Sequence, residues 1–237
     1  MSEQLTFGLV HGSWHGAWSW ELVQEELRTA GYQAVAMDLP IADPRATFDD
    51  YADVVVEALK EYEAPILVGH SRAGNVIPRV AGIMAVRKLI YVCGTFDPPT
   101  LDISTSDEGE ILPFKNFEKF DAGIIQIGQD LTVFDRGMAT GVFYHDCPPD
   151  ISERAVSLLR PQRRGGHEPA LAEWPDVPQD YIICADDRAV NPDWCRYVAK
   201  EWLGVEPIEL AGGHSPFLAQ PEVLASLLIA LAEDNKT

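Results

Sequence analysis

Three residue types set far apart in this chain can together carry out acyl transfer: a serine, an aspartate and a histidine. The serine is Ser71, within Val68-Gly69-His70-Ser71-Arg72-Ala73-Gly74. An apolar run ends here and a helical pattern begins, so Ser71 sits on a tight strand-to-helix bend that lifts a nucleophile off the backbone. Gly69 and Ala73 leave room for the bend. The fuller pattern has glycine at position 73, and the single methyl of alanine is a mild departure. The helix behind the serine points its positive end at the site, which favours a developing anion. By itself a G-x-S-x-A match is weak, since a Gly/Ser turn can join any strand to any helix. Its partners give it weight. His214 is one of six histidines and lies in Ala211-Gly212-Gly213-His214-Ser215-Pro216, a loop between a strand and the last helix. The carboxylate should follow an earlier strand, and both Asp186 and Asp187 do. A buried carboxylate on the second ring nitrogen would fix the tautomer of His214 and stabilise its imidazolium. The negative oxygen of a tetrahedral intermediate needs two N–H donors. One is that of Arg72, after the nucleophile, and the other comes from the loop after the first strand. His70 is expected to point away from Ser71, and no role attaches to His145 or His167.

The elements that must position these residues follow an alternating pattern. Strands are expected at Leu5–Val10, Gln33–Met37, Pro65–Val68 and Lys88–Val92. Helices are expected at Trp18–Ala30, at Thr47–Tyr62 with Thr47 as N-cap, and at Ala73–Met84, where Pro78 should kink the helix or force a local adjustment. The rhythm resumes with strands at Tyr181–Ala185 and Pro207–Leu210, a helix opened by Asn191-Pro192, and a closing helix at Pro221–Ala232. Apolar strands alternating with helices imply an α/β fold, a mostly parallel sheet with helices on both faces. Between Gly94 and Asp180 the rhythm breaks. A hairpin over Ile124–Ile127 and Leu131–Phe134 and a short helix over Ser152–Leu159 are expected there. The division is therefore a core of residues 1–94 and 177–237 with a cap inserted at 95–176.

Composition narrows the partners. The 237 residues are 46% hydrophobic and carry a formal net charge of −19. An acidic surface repels phosphate backbones and anionic lipid, so neither nucleic acid nor a membrane is expected as a partner. The N-terminal sequence has no basic region ahead of a long apolar run, and a cytoplasmic location follows by default. No C-x-x-C pair or His/Cys cluster suggests a metal. Of the four cysteines, Cys93 and Cys184 lie in strand-like runs and should be buried thiols.

V-H-G-x-x-H-G-A-W-x-W at 10–20, G-H-S-x-x-G at 69–74, D-R-A-V at 187–190 and G-G-H-S-P at 212–216 together resemble one α/β-hydrolase family. It comprises the plant methyl esterases, the related hydroxynitrile lyases and many bacterial homologues, and the resemblance covers nearly the whole chain. It implies an α/β-hydrolase fold with a small cap, and it favours Asp187 over Asp186 as the acid. It also implies the N–H groups of Ser13 and Arg72 as the oxyanion hole, with no cofactor. Within the family, hydroxynitrile lyases carry threonine after the first histidine of the loop and lysine after the catalytic histidine. Here those positions are Gly12 and Ser215, which favours hydrolysis of a small-molecule ester. A lyase or a non-catalytic small-molecule receptor on the same scaffold are the alternatives, and a homodimer is left open. Arg72 departs from the apolar residue usual at its position. Its side chain can reach a carboxylate of the protein or of a substrate, an internal salt bridge being the simpler reading. Gly12, Trp14 and Phe143 are candidate substrate contacts. Core packing is the favoured reading for at least two of Trp14, Trp18 and Trp20. The cap offers Phe114, Phe117, Phe120, Phe134, Phe143 and Tyr144, from which a preference for small or aromatic uncharged esters is expected.

Overall fold

In a computed structural model, which describes residues 5–96, 117–164, 168, 171 and 173–234, a six-stranded sheet runs through the molecule. Its strands are β1 (Thr6–Val10), β2 (Gln33–Met37), β3 (Ile66–His70), β4 (Lys88–Val92), β8 (Gln179–Cys184) and β9 (Ile208–Leu210), in the order β2-β1-β3-β4-β8-β9. Every pairing is parallel. In β1, β3 and β4 each residue is buried, as both faces of a parallel sheet must be. This is the α/β-hydrolase fold.

Order along the sheet reverses between β1 and β3, which pair with Val10 opposite Gly69. Ligands of open α/β sheets bind at such a switch point, beyond the carboxyl ends of the strands. The loop carrying Gly12 and Ser13 and the bend carrying Ser71 leave these two strands side by side. Two segments far apart in sequence thus meet by topology alone.

The helices follow the sequence signals, with two differences. At α2 (Phe48–Leu59), Thr47 caps as expected and Asp50 completes a capping box, each side chain bonding the other's backbone N–H. The long helix expected after Ser71 is broken instead. A 3-10 turn at Ser71–Asn75 precedes α3 (Ile77–Ala81), and Pro78 sits in the first turn of α3, where its missing N–H costs no hydrogen bond and no kink arises. The helix expected from Trp18 begins as a 3-10 turn at Ala17–Trp20 and becomes α1 only over Glu21–Thr29. α1 packs on the closing helix α9 (Pro221–Glu233), and α2 packs on α3.

Between β4 and β8 lie α4 (Phe117–Gly123), the hairpin β5 (Ile124–Ile127) and β6 (Leu131–Phe134), α5 (Arg136–Phe143), α6 (Pro149–Leu158) and β7 (Gln162–Arg163). β5, β6 and β7 form a small antiparallel sheet. Gly128 turns the hairpin at φ +65°, a conformation glycine adopts without strain. After β8, α7 (Pro192–Tyr197) opens at the Asn191 cap, and α8 (Pro216–Ala219) follows the loop of His214. Among the described residues no helix is long and apolar enough to cross a membrane.

Candidate active site

Ser71 holds φ at +51°, a left-handed backbone that a residue with a side chain adopts only under constraint. The constraints are visible. Thr95 N–H donates to the Ser71 carbonyl at 2.8 Å, and the Asn75 amide donates to the carbonyls of both Arg72 and Thr95 at 3.1 Å. Gly74 permits this packing, because a Cβ there would stand 2.6 Å from the Thr95 carbonyl oxygen. Gly12 performs a similar service from the other side: a Cβ there would lie 2.9 Å from the Ser71 Cβ and from His70 Nδ1.

His214 Nδ1 lies 2.7 Å from Asp187 Oδ2, with both side chains almost wholly buried. The other oxygen of Asp187 accepts from the N–H groups of Ala189 and Val190, at 2.7 and 2.9 Å. The carboxylate is thus held in one orientation, with its second oxygen aimed at the imidazole. Asp186, the competing candidate, is exposed and turned elsewhere. Its side chain accepts from Gly212 N–H at 3.1 Å and its own N–H donates to the Gly212 carbonyl, which ties down the base of the histidine loop. His145 Nε2 also donates to the Asp186 carbonyl, at 3.1 Å.

Three further histidines surround this pair; the sequence reading placed His70 only as pointing away from Ser71 and gave His11 and His15 no partners. His11 donates from Nδ1 to the Gly12 carbonyl (2.8 Å) and accepts at Nε2 from Leu39 N–H (3.0 Å). His15 donates from Nδ1 to the Ser13 carbonyl (2.7 Å) and accepts at Nε2 from the Tyr144 hydroxyl (2.8 Å). His70 does not merely stand aside from the nucleophile. It donates from Nε2 to the His214 carbonyl at 2.9 Å, its ring centroid 4.5 Å from that of His214. Burial pulls the His11 imidazole down to about 4, that of His15 to about 3, and that of His70 well below its usual range. All three are therefore neutral at pH 7 and act as fixed dipoles bracing the two loops. The one hint in the sequence was the H-G-x-x-H spacing after β1.

A cavity of about 340 Å³ opens over these groups. Its walls include Ser13, Trp14, Ser71, Arg72, Phe143 and His214, so six of the residues singled out from sequence share one space. Gly12 backs Ser71 from behind, and Asp187 stands behind His214. Trp14, at φ +58°, donates from its indole to Thr132 Oγ1 at 3.2 Å and packs on Phe134 and Phe143, with centroids at 5.3 and 6.1 Å. Trp20 is fully buried against Phe217, and Trp18 stacks on His15. Phe134 belongs to the aromatic cluster, and Phe120 lines the cavity. Phe114, His167 and the side chain of Phe117 lie outside the described residues. One described group could offer a metal three ligand atoms, those of Cys93, Asp187 and His214, within 4.8 Å of one another. Two of them are already bonded to each other. Cys93, Cys147, Cys184 and Cys195 are free thiols.

Comparison with known proteins agrees with this architecture. The chain is 27% identical to methyl jasmonate esterase 1 of Vitis vinifera, over 96% of each chain. It is 26% identical to an alpha-hydroxynitrile lyase of Arabidopsis thaliana, over 99% of each. The crystal structure of polyneuridine aldehyde esterase superposes with a TM-score of 0.81 at 20% identity, covering 98% of this chain and all of that one, a likeness of fold. The family model described as alpha/beta hydrolase matches residues 9–227, and the chain belongs to that family.

Proposed function

We propose that this protein is a serine hydrolase of small carboxylic esters, working through an acyl-enzyme intermediate. Ser71 attacks the ester carbonyl, and Nε2 of His214 takes its proton. Asp187 keeps Nδ1 protonated and steadies the imidazolium. The N–H groups of Ser13 and Arg72 hold the oxyanion. His214 then returns the proton to the leaving alcohol, and water attacks the acyl group by the same route to release the acid. The observation that carries this reading is the buried 2.7 Å bond between His214 and Asp187, with His214 and the strained Ser71 facing one cavity.

The lyase relative makes cyanide elimination the specific rival. Two local features favour hydrolysis. A threonine side chain at position 12 would begin 2.9 Å from the Ser71 Cβ and from His70 Nδ1, so the packing behind the nucleophile has no room for the hydroxyl the lyases carry there. Ser215, following His214, is fully buried and uncharged, and offers departing cyanide no cation. The test is hydrolysis of p-nitrophenyl acetate by wild type and Ser71→Ala. We expect a loss of about 10³-fold or more, together with fluorophosphonate labelling at Ser71. Equal rates in the two proteins would end this reading. Cyanide release from mandelonitrile with no esterase activity would replace it by the lyase.

A further inference from the structure

Positive charge collects at the cavity of a chain whose net charge is −19. Arg72, Arg163 and Arg164 all line it, and among the described lining residues there is no aspartate or glutamate. The three guanidinium groups are not equivalent. Arg163 is committed to the fold: it is ion-paired with buried Glu168, and its Nε donates to the Tyr51 hydroxyl at 3.2 Å. Arg72 stacks over the Phe48 ring at 5.1 Å, a ring that Arg163 also faces at 5.5 Å. Arg164 is exposed, and its side chain donates to the neutral amide oxygen of Gln126 at 3.3 Å. Among the described residues that contact brings no negative charge to the guanidinium of Arg164 at the cavity. A guanidinium fork matches a carboxylate in shape as well as charge. The same wall also holds apolar Trp14, Phe120, Ile124, Phe143 and Val190, beside polar Thr95, Thr132 and Gln162. That lining suits a carboxylate on a carbon skeleton better than a heavily hydrated phosphate.

We propose that the cavity takes esters bearing a second, ionised carboxylate, which Arg164 receives with Arg72 nearby while the scissile carbonyl lies at Ser71. Half-esters of dicarboxylic acids are the simplest such substrates. The proposal rests on the ester-hydrolase reading and replaces the expectation of uncharged esters drawn from the cap phenylalanines.

The experiment compares 4-nitrophenyl hydrogen glutarate with its neutral methyl diester, 4-nitrophenyl methyl glutarate. Wild type should favour the anionic ester in kcat/KM by about tenfold or more, the size expected of a charge-assisted hydrogen bond. Arg164→Gln should bring that ratio towards one, Arg164→Lys should keep part of it, and Arg164→Glu should invert it. A wild-type preference for the neutral diester, or a ratio unmoved by Arg164→Gln, overturns the proposal. A second measurement is independent of turnover: calorimetric titration of Ser71→Ala with monomethyl glutarate and with dimethyl glutarate. Tighter binding of the monoester supports the proposal and equal affinities overturn it. If neither nitrophenyl ester is cleaved in a Ser71-dependent way, the hydrolase reading falls, and the calorimetry still decides the anion preference.

Discussion

Below the cavity, at the carboxyl ends of β1 and β3, His11, His15, His70 and His214 lie among one another, each held by directed hydrogen bonds of 2.7 to 3.0 Å. Above it, Trp14, Phe120, Phe134 and Phe143 meet as a cluster of rings, with centroids 4.4 to 6.1 Å apart. The floor is polar, buried and directional. The roof is apolar and relies on shape. Hydrogen bonds weaken steeply when misaligned, whereas packed rings can shift and repack. The difference teaches where this fold keeps reaction chemistry and where it can alter the substrate: substitutions in the floor should act on kcat, and substitutions in the roof on KM.

The hardest blow to the floor is Asp187→Asn, which removes the charge opposite His214 and favours the wrong tautomer. We expect kcat to fall about 10³- to 10⁴-fold. Asp186→Asn, one residue away and exposed, should change kcat by no more than a few-fold, since an amide oxygen still accepts from Gly212 N–H. Steady-state kinetics of the two variants side by side decides the matter. Equal losses would erase the distinction between the buried and the exposed carboxylate.

Acid should reach the floor next. His11, His15 and His70 titrate lower in the folded protein than in the unfolded chain, so below pH 6.5 the unfolded chain binds protons first. Their share of stability is intact above about 6.5 and drains away as the pH falls towards 4. For His11, moved from 6.5 to about 4, this is about 3 kcal/mol. Urea unfolding at pH 7.5 and pH 4.5 measures it, and imidazole chemical shifts should report neutral rings at pH 5.5. A ring of His15 found protonated at that pH would contradict its neutral, doubly bonded state.

Sequence patterns revealed the sheet more fully than the site. Each core strand is a short apolar run, and Thr47 and Asn191 announce helix starts because a cap is local chemistry read within three residues. Pro78 announced a kink or a local adjustment without saying which, and the adjustment is what formed. Its effect depends on whether it falls inside a helix or in the first turn, and the 3-10 turn at Ser71–Asn75 decides this. Neither Asp186 nor Asp187 is distinguishable by composition or spacing. The turn Asp187-Ala189-Val190, which folds backbone donors onto one carboxylate, makes them different. The histidine network was illegible because His11, His15 and His70 pair with Leu39, Tyr144 and the His214 backbone, partners set by topology. Arg163 and Arg164 passed unnoticed because β7, which carries Arg163 and ends just before Arg164, is only two residues long.

Gly12→Ala probes the floor's tolerance. The added methyl would stand 2.9 Å from the Ser71 Cβ and His70 Nδ1, and 3.1 Å from the His70 carbonyl oxygen. Backbone and nucleophile must shift, at a cost of about 1–3 kcal/mol typical of overpacking. We expect a lower melting temperature and a kcat reduced by about tenfold. An unchanged kcat would show the floor to be softer than its hydrogen bonds imply.

The smallest effect should come where floor and roof join. Tyr144 follows α5 in the cap, yet its buried hydroxyl donates to His15 Nε2 in the loop after β1. Tyr144→Phe keeps the ring packing and leaves that nitrogen without a donor, costing about 1 kcal/mol or slightly more in stability. Because His15 holds the Ser13 carbonyl from its other nitrogen, the loss should also reach the adjacent backbone and lower kcat a few-fold with KM nearly constant. Phe143→Leu, one residue earlier and in the cavity wall, should do the reverse, raising KM with little change in kcat. Kinetics of the two neighbouring variants therefore sets directional bonding against shape within a single turn of chain. A KM effect from Tyr144→Phe as large as that from Phe143→Leu would mean that the cap moves as one body and that the floor–roof division ends short of Tyr144.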